Sequence, residues 1–108
     1  MSDQAVLVVA GTLCIREERL DEALERLVGM RAATLAEDGC LSYSFYRAPG
    51  SDSTLFVFEE WTGQAALDAH LATDHTHGFG RFLHGALAEP MAVSRYFVDD
   101  IRPLFDEI

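Results

Sequence analysis

Two strand-like runs flank the turn Pro49-Gly50-Ser51-Asp52-Ser53. In the first, residues 40–48, Leu41, Tyr43 and Phe45 alternate with Ser42, Ser44 and Tyr46, the period of a half-buried strand. The second, residues 54–61, is rich in apolar side chains and ends in the single Trp. Together they predict a hairpin, and a hairpin fixes two antiparallel neighbours in any sheet the chain can build. On its N-terminal side lie a strand over residues 5–15 and a helix over 17–35. On its C-terminal side lie short helices over 64–72 and 75–87 and a last strand over 91–101. The order is β-α-β-β-α-α-β. Right-handed crossovers fold that order into an α+β domain, a four-stranded antiparallel sheet with the helices on one face.

The punctuation supports these elements. Leu20, Leu24, Leu27, Val28 and Leu35 give the first helix an apolar stripe, and Glu37-Asp38-Gly39 ends it, with Gly39 as the C-terminal cap. Thr62 and Asp74 are the expected N-caps of the two short helices. Gly78, Gly80 and Gly85 weaken the second of these, since each costs about 0.5–1 kcal/mol relative to Ala. Glu89-Pro90 closes it, and Pro103 opens a short tail over residues 102–108. With 108 residues there is room for one domain, expected to span 1–108.

Helices can cover only one face of such a sheet. In the first strand, however, Val6, Val8 and Ala10 face one way while Leu7 and Val9 face the other. The third and fourth strands, the latter with Val93, Tyr96, Phe97 and Val98, are also apolar on both sides. An uncovered second face would be a large apolar patch, and a two-fold homodimer packed sheet against sheet is the expected cover.

The formal charge is −10, from 8 basic residues, all Arg and scattered, against 18 acidic ones. Nucleic-acid binding needs concentrated positive charge, so neither nucleic acid nor an anionic membrane surface is an expected partner. No apolar run is long enough to span a bilayer, and no basic residue precedes Arg16, so no secretory signal is read and a cytoplasmic location is expected. Cys14 and Cys40 fall in different strands without metal-type spacing and are expected as free thiols.

Chemistry concentrates between Glu59 and His75. His70 shares a helix face with Ala66, Leu67 and Leu71, so it points to the sheet. A desolvated, neutral imidazole can accept a proton from a phenol or an enol. Trp61 and Glu59 share a strand face with Val57 and Leu55, and a carboxylate on a covered face needs a partner. His70, Trp61 and Glu59 are therefore the candidate catalytic group. His75 lies on the side of Phe79 and Phe82, and these three with Tyr43 are the candidate pocket lining. His77 and His84 share the opposite face with Arg81. A packing role for each of these residues stands beside the functional one. No metal is expected, because only two inward ligands can be counted and His75 and His77 diverge by about 200° on a helix. No Gly-rich phosphate loop is present, so no nucleotide or flavin cofactor is expected.

Three segments carry a resemblance: Gly39-Cys40-Leu41-Ser42-Tyr43-Ser44-Phe45-Tyr46-Arg47, then Phe58-Glu59-Glu60-Trp61, then Ala66-Leu67-Asp68-Ala69-His70-Leu71 followed by Asp74-His75. In these the chain resembles the antibiotic biosynthesis monooxygenase (ABM) family of the dimeric α+β barrel superfamily. The resemblance implies a ferredoxin-like protomer, a homodimer through the sheet faces, and a pocket in each subunit between helices and sheet. It also implies a cofactor-independent monooxygenase acting on a small aromatic, quinol-like or enolic substrate. Alternatives within the resemblance are an isomerase or epimerase of a small hydroxy-ketone and a non-catalytic binding dimer. The haem-degrading members resemble the chain less, for their catalytic Asn falls at Gly11, their Trp at His70 and their axial His at Gly80.

Overall fold

The structure, a computed structural model, describes residues 6–106. Its elements are β1 (Leu7–Cys14), a 3₁₀ turn (Glu17–Arg19), α1 (Leu20–Leu35), β2 (Cys40–Arg47), β3 (Thr54–Trp61), α2 (Gln64–Leu71), α3 (Asp74–Ala86) and β4 (Ala92–Phe97). The four strands form one antiparallel sheet in the order β2-β3-β1-β4, the expected ferredoxin-like arrangement. Ala5, expected at the start of the first strand, lies outside the described residues, as do both ends of the expected 1–108 domain.

One face of the sheet carries the core. Leu7 and Leu13 of β1, Tyr43 of β2, and Leu55, Val57, Glu59 and Trp61 of β3 are buried on it. α1 lies on β2 and α3, and α2 on β3. The other face keeps Phe56, Tyr46 and Tyr96 exposed within the single chain, so the two-sided apolarity read from the strands is real.

Four local expectations are corrected. The buried stripe of α1 is Ala23, Leu27, Met30 and Thr34, while Val28 is 74% exposed and Leu35 is also exposed. The spacing of 23, 27, 30 and 34 continues one face more evenly than the leucines do, and Leu20 and Leu24 only flank it. Thr62 does not cap α2. Its N–H donates to Gly39 O at 2.9 Å, extending the sheet pairing one residue beyond Trp61, and Gly63 takes the cap position. Thr73, not Asp74, caps α3, its Oγ1 accepting from Thr76 N. Finally, β4 is shorter than residues 91–101 because it pairs only with β1, from Thr12↔Ala92 to Leu7↔Phe97; past that a single bond from Val98 N to Val6 O remains.

The three glycines do not break α3. Phe79, Phe82, Leu83 and Ala86 bury one face of it, and that packing outweighs their intrinsic cost.

Candidate active site

Two local devices assemble the site. Gly39, at φ 84°, turns the chain from α1 into β2; an ideal Cβ there would stand 2.5 Å from Ala66 Cβ, so only glycine lets the loop sit this close to α2. That close approach carries Glu37 toward the α2–α3 corner. At the corner, Thr73 Oγ1 donates to His70 O at 2.7 Å, closing the end of α2 while capping α3. His70 in the last turn of α2 and His75 in the first turn of α3 are thereby brought together.

Glu37 joins them. His70 Nδ1 lies 2.8 Å and His75 Nε2 2.6 Å from the same oxygen, Glu37 Oε2. A carboxylate oxygen only accepts, so both imidazoles donate an N–H to it. In a neutral His70 this bond puts the ring proton on Nδ1 and leaves Nε2 bare. Thr76 Oγ1 stands 3.4 Å from both ring nitrogens of His70. His70 is 3% exposed, as expected of an inward residue. Its ring packs on Trp61 at 4.7 Å and on Tyr43 at 5.8 Å between centroids.

Beside His70 a cavity of about 310 Å³ opens between helices and sheet, lined by Tyr43, Phe45, Glu59, His70, Thr76 and Phe79 among others. That volume suits a small organic molecule. Arg95 of β4 stands at its exposed rim, its guanidinium donating to Gln64 Oε1 at 3.2 Å.

Glu59 is buried on the cavity wall, and Trp61 Nε1 donates to its Oε1 at 3.0 Å. Burial, aided by the charge of Glu37 and opposed by the indole bond, pushes its carboxyl up to about 7. Burial likewise raises the Tyr43 phenol, so it stays protonated as a donor. The Cys40 thiol is pushed up to about 11, first by burial and then by the charges of Glu37 and Glu59, which leaves it a poor nucleophile. Cys40 and Cys14 are both free and half-buried.

The residues singled out in the sequence thus separate. His70, Glu59, Tyr43 and Phe79 line the cavity. Trp61 is fully buried behind His70 and does not line it. His75 opens instead on a shallow hollow with Arg26, Met30 and Gly78. Phe82 is also outside the cavity, with the Arg19 and Arg26 guanidinium groups 4.9 and 4.6 Å from its ring centroid. His77 and His84 are exposed. Leu71 is half exposed at the rim rather than fully inward.

Sequence reasoning missed Glu37, Thr76 and Arg95. Glu37 was read as part of a helix stop, and nothing local pairs it with residues 33 and 38 positions away. The haem-type pattern is disfavoured again at Gly11, where an ideal Cβ would meet Ala92 O at 2.0 Å, leaving no room for a side chain.

The family described as Antibiotic biosynthesis monooxygenase matches residues 6–81. The chain is 31% identical over 98 residues to the Synechocystis protein sll1783, a match spanning 91% of this chain and 67% of that protein. It is 26% identical over 90 residues to the Bacillus subtilis protein named Putative monooxygenase YcnE, spanning 83% of this chain and 95% of that one. The solved structure of Rv0793 from Mycobacterium tuberculosis superposes with a TM-score of 0.83 at 27% identity, covering 90% of this chain and 98% of that one. No helix among the described residues is long and apolar enough to cross a membrane.

Proposed function

Because the chain belongs to the antibiotic biosynthesis monooxygenase family, we propose that it is a cofactor-independent monooxygenase for a small aromatic, quinol-like or enolic compound. The observation that carries this reading is the His70 imidazole on the cavity wall with Nδ1 held by Glu37, which leaves Nε2 to take a proton from a bound phenol or enol. The resulting anion is electron-rich enough to pass electrons to O₂ without a cofactor. In the monooxygenation of an activated CH₂, one oxygen atom replaces both hydrogens as a carbonyl and the other leaves as water. All four electrons come from the substrate.

The protein's part is then to deprotonate, orient and keep water out. His70 is the base and Glu37 its orienting partner. Trp61 backs the imidazole, while Glu59 and Tyr43 present polar edges inside an otherwise apolar wall. Arg95 at the rim would attract the anionic form of a substrate.

The apolar outer face, with Phe56, Tyr46 and Tyr96 exposed, supports a homodimer packed through the sheets. Cytoplasmic residence is part of the same proposal and agrees with the two free thiols.

Oxygen uptake with a panel of quinols tests the reading. Loss of uptake in His70→Ala, with the fold retained, is expected; unchanged uptake would refute the assigned role. A second reading, isomerisation of a small hydroxy-ketone, draws on the presence of two proton-transfer groups, His70 and Glu59, on one cavity wall. It needs no oxygen, so turnover under strict anaerobiosis separates the two.

A further inference from the structure

We propose that Glu37, His70 and His75 form a binding site for one divalent transition-metal ion of the Zn²⁺ type. Two inward ligands can be counted from the sequence, and the fold supplies the third. Nδ1 of His70, Nε2 of His75 and a carboxylate oxygen of Glu37 all lie within 4.8 Å of one another. They come from three separate elements: the loop before β2, the end of α2 and the start of α3.

Glu37 Oε2 stands 2.8 and 2.6 Å from the two imidazole nitrogens, closer than two donors to one ion require. Zinc–ligand bonds of about 2.0–2.2 Å place neighbouring donors of a tetrahedral ion roughly 3.3 Å apart. Glu37 therefore needs to withdraw by about half an ångström, and it sits on a loop rather than inside an element. Two imidazoles and one carboxylate suit Zn²⁺, Co²⁺ or Ni²⁺ rather than Mg²⁺ or Ca²⁺. The His75 side chain is 30% exposed beside its shallow hollow, which gives an ion an approach from solvent and leaves a position for water.

The ion would stand on the Nδ1 side of His70, where Glu37 now lies, and leave Nε2 free of it. Metal on Nδ1 puts the ring proton on Nε2, so that nitrogen would donate instead of accept. An ion would also tie the α1–β2 loop to both short helices. The site stands on its donors alone, whether or not the cavity turns over a substrate.

Calorimetric titration of the chelator-treated full chain with Zn²⁺, alongside Co²⁺ followed by its visible d–d absorbance, tests the site. Expected is one saturable ion per chain at micromolar concentration, a thermal midpoint that rises with Zn²⁺, and no comparable response to Mg²⁺. Glu37→Gln and His75→Gln should each weaken binding at least tenfold, while His77→Gln and His84→Gln leave it unchanged. Circular dichroism identifies variants that keep the fold; if Glu37→Gln does not, the more exposed His75→Gln carries the comparison. Absence of saturable binding would overturn the proposal. So would binding that survives in both Glu37→Gln and His75→Gln, or that vanishes only with His77 or His84.

Discussion

The helix-covered face of the sheet has two ends that differ in kind. Around Leu13 and Leu55, neighbours across β1 and β3, its packing is apolar: Leu27 lies by Leu55, and Leu83 by Leu13. Around Leu7 and Trp61, at the far end of the same strands, it buries Glu59, Tyr43 and His70, with Glu37 just beyond. The apolar end is what folding requires. Buried polar groups cost free energy unless they find partners; Glu59 has Trp61 and His70 has Glu37, while the buried Thr34 Oγ1 of α1 has none among the described residues. Such a cluster beside an open cavity is why the proposed chemistry is assigned to this end rather than to the better-packed half.

Five substitutions sharpen or break this contrast, taken from the largest expected effect down, with Val28→Ala set beside Leu55→Ala as its control. Glu37→Gln should lower turnover by about 10²–10⁴-fold, because an amide can donate to Nδ1 and strand the proton on Nε2. Steady-state oxygen uptake at saturating substrate reads this, and a loss confined to protein stability would place Glu37 on the structural side. Leu55→Ala, at the apolar end, should cost about 2–5 kcal/mol in a denaturant titration. Val28→Ala, at a position 74% exposed, should stay within about 0.5 kcal/mol. If the two matched, the division of α1 into buried and exposed faces would be wrong.

Glu59→Gln tests the polar end through pH. The Glu59 carboxyl is raised from 4.5 to about 7 in the folded chain, so the fold binds a proton that the unfolded chain has released. Its favourable contribution is complete below about 4.5 and is lost as pH rises through about 7, an effect of roughly 3 kcal/mol. Stability of the native chain should therefore fall between those pH values, and Glu59→Gln should flatten the slope while still accepting from Trp61. An unchanged slope would show that Glu59 is not the group responsible. Last, Thr73→Ala removes the α3 cap and the bond to His70 O and should cost about 1 kcal/mol in thermal unfolding.

The two ends also differ in how far they could be read from the chain. The hairpin, the element order and the inward face of β3 followed from periods of two and from the Pro49–Ser53 turn, since strand alternation and turn chemistry are local. His70 followed from its helical neighbours Ala66 and Leu67. The buried face of α1 was misjudged because Val28 and Leu35 are as apolar as the residues that do pack, and only the sheet beneath decides between them. Glu37 was illegible for a stronger reason. It occupies a charged helix end that any solvated loop would show, and its role arises from the close approach of Gly39 to Ala66. His75 and Phe82 pointed inward by helical spacing, yet the cavity stops short of both, because its shape is set by packing between elements.

The most direct measurement is the ¹⁵N spectrum of His70 in imidazole-labelled, metal-free protein, recorded without oxygen before and after adding a hydroquinone. Expected is a ring protonated at Nδ1 with a bare Nε2 whose resonance moves as the phenol binds. A ring protonated at Nε2, or an Nε2 signal that the phenol leaves in place, would contradict a cavity-facing base held by Glu37.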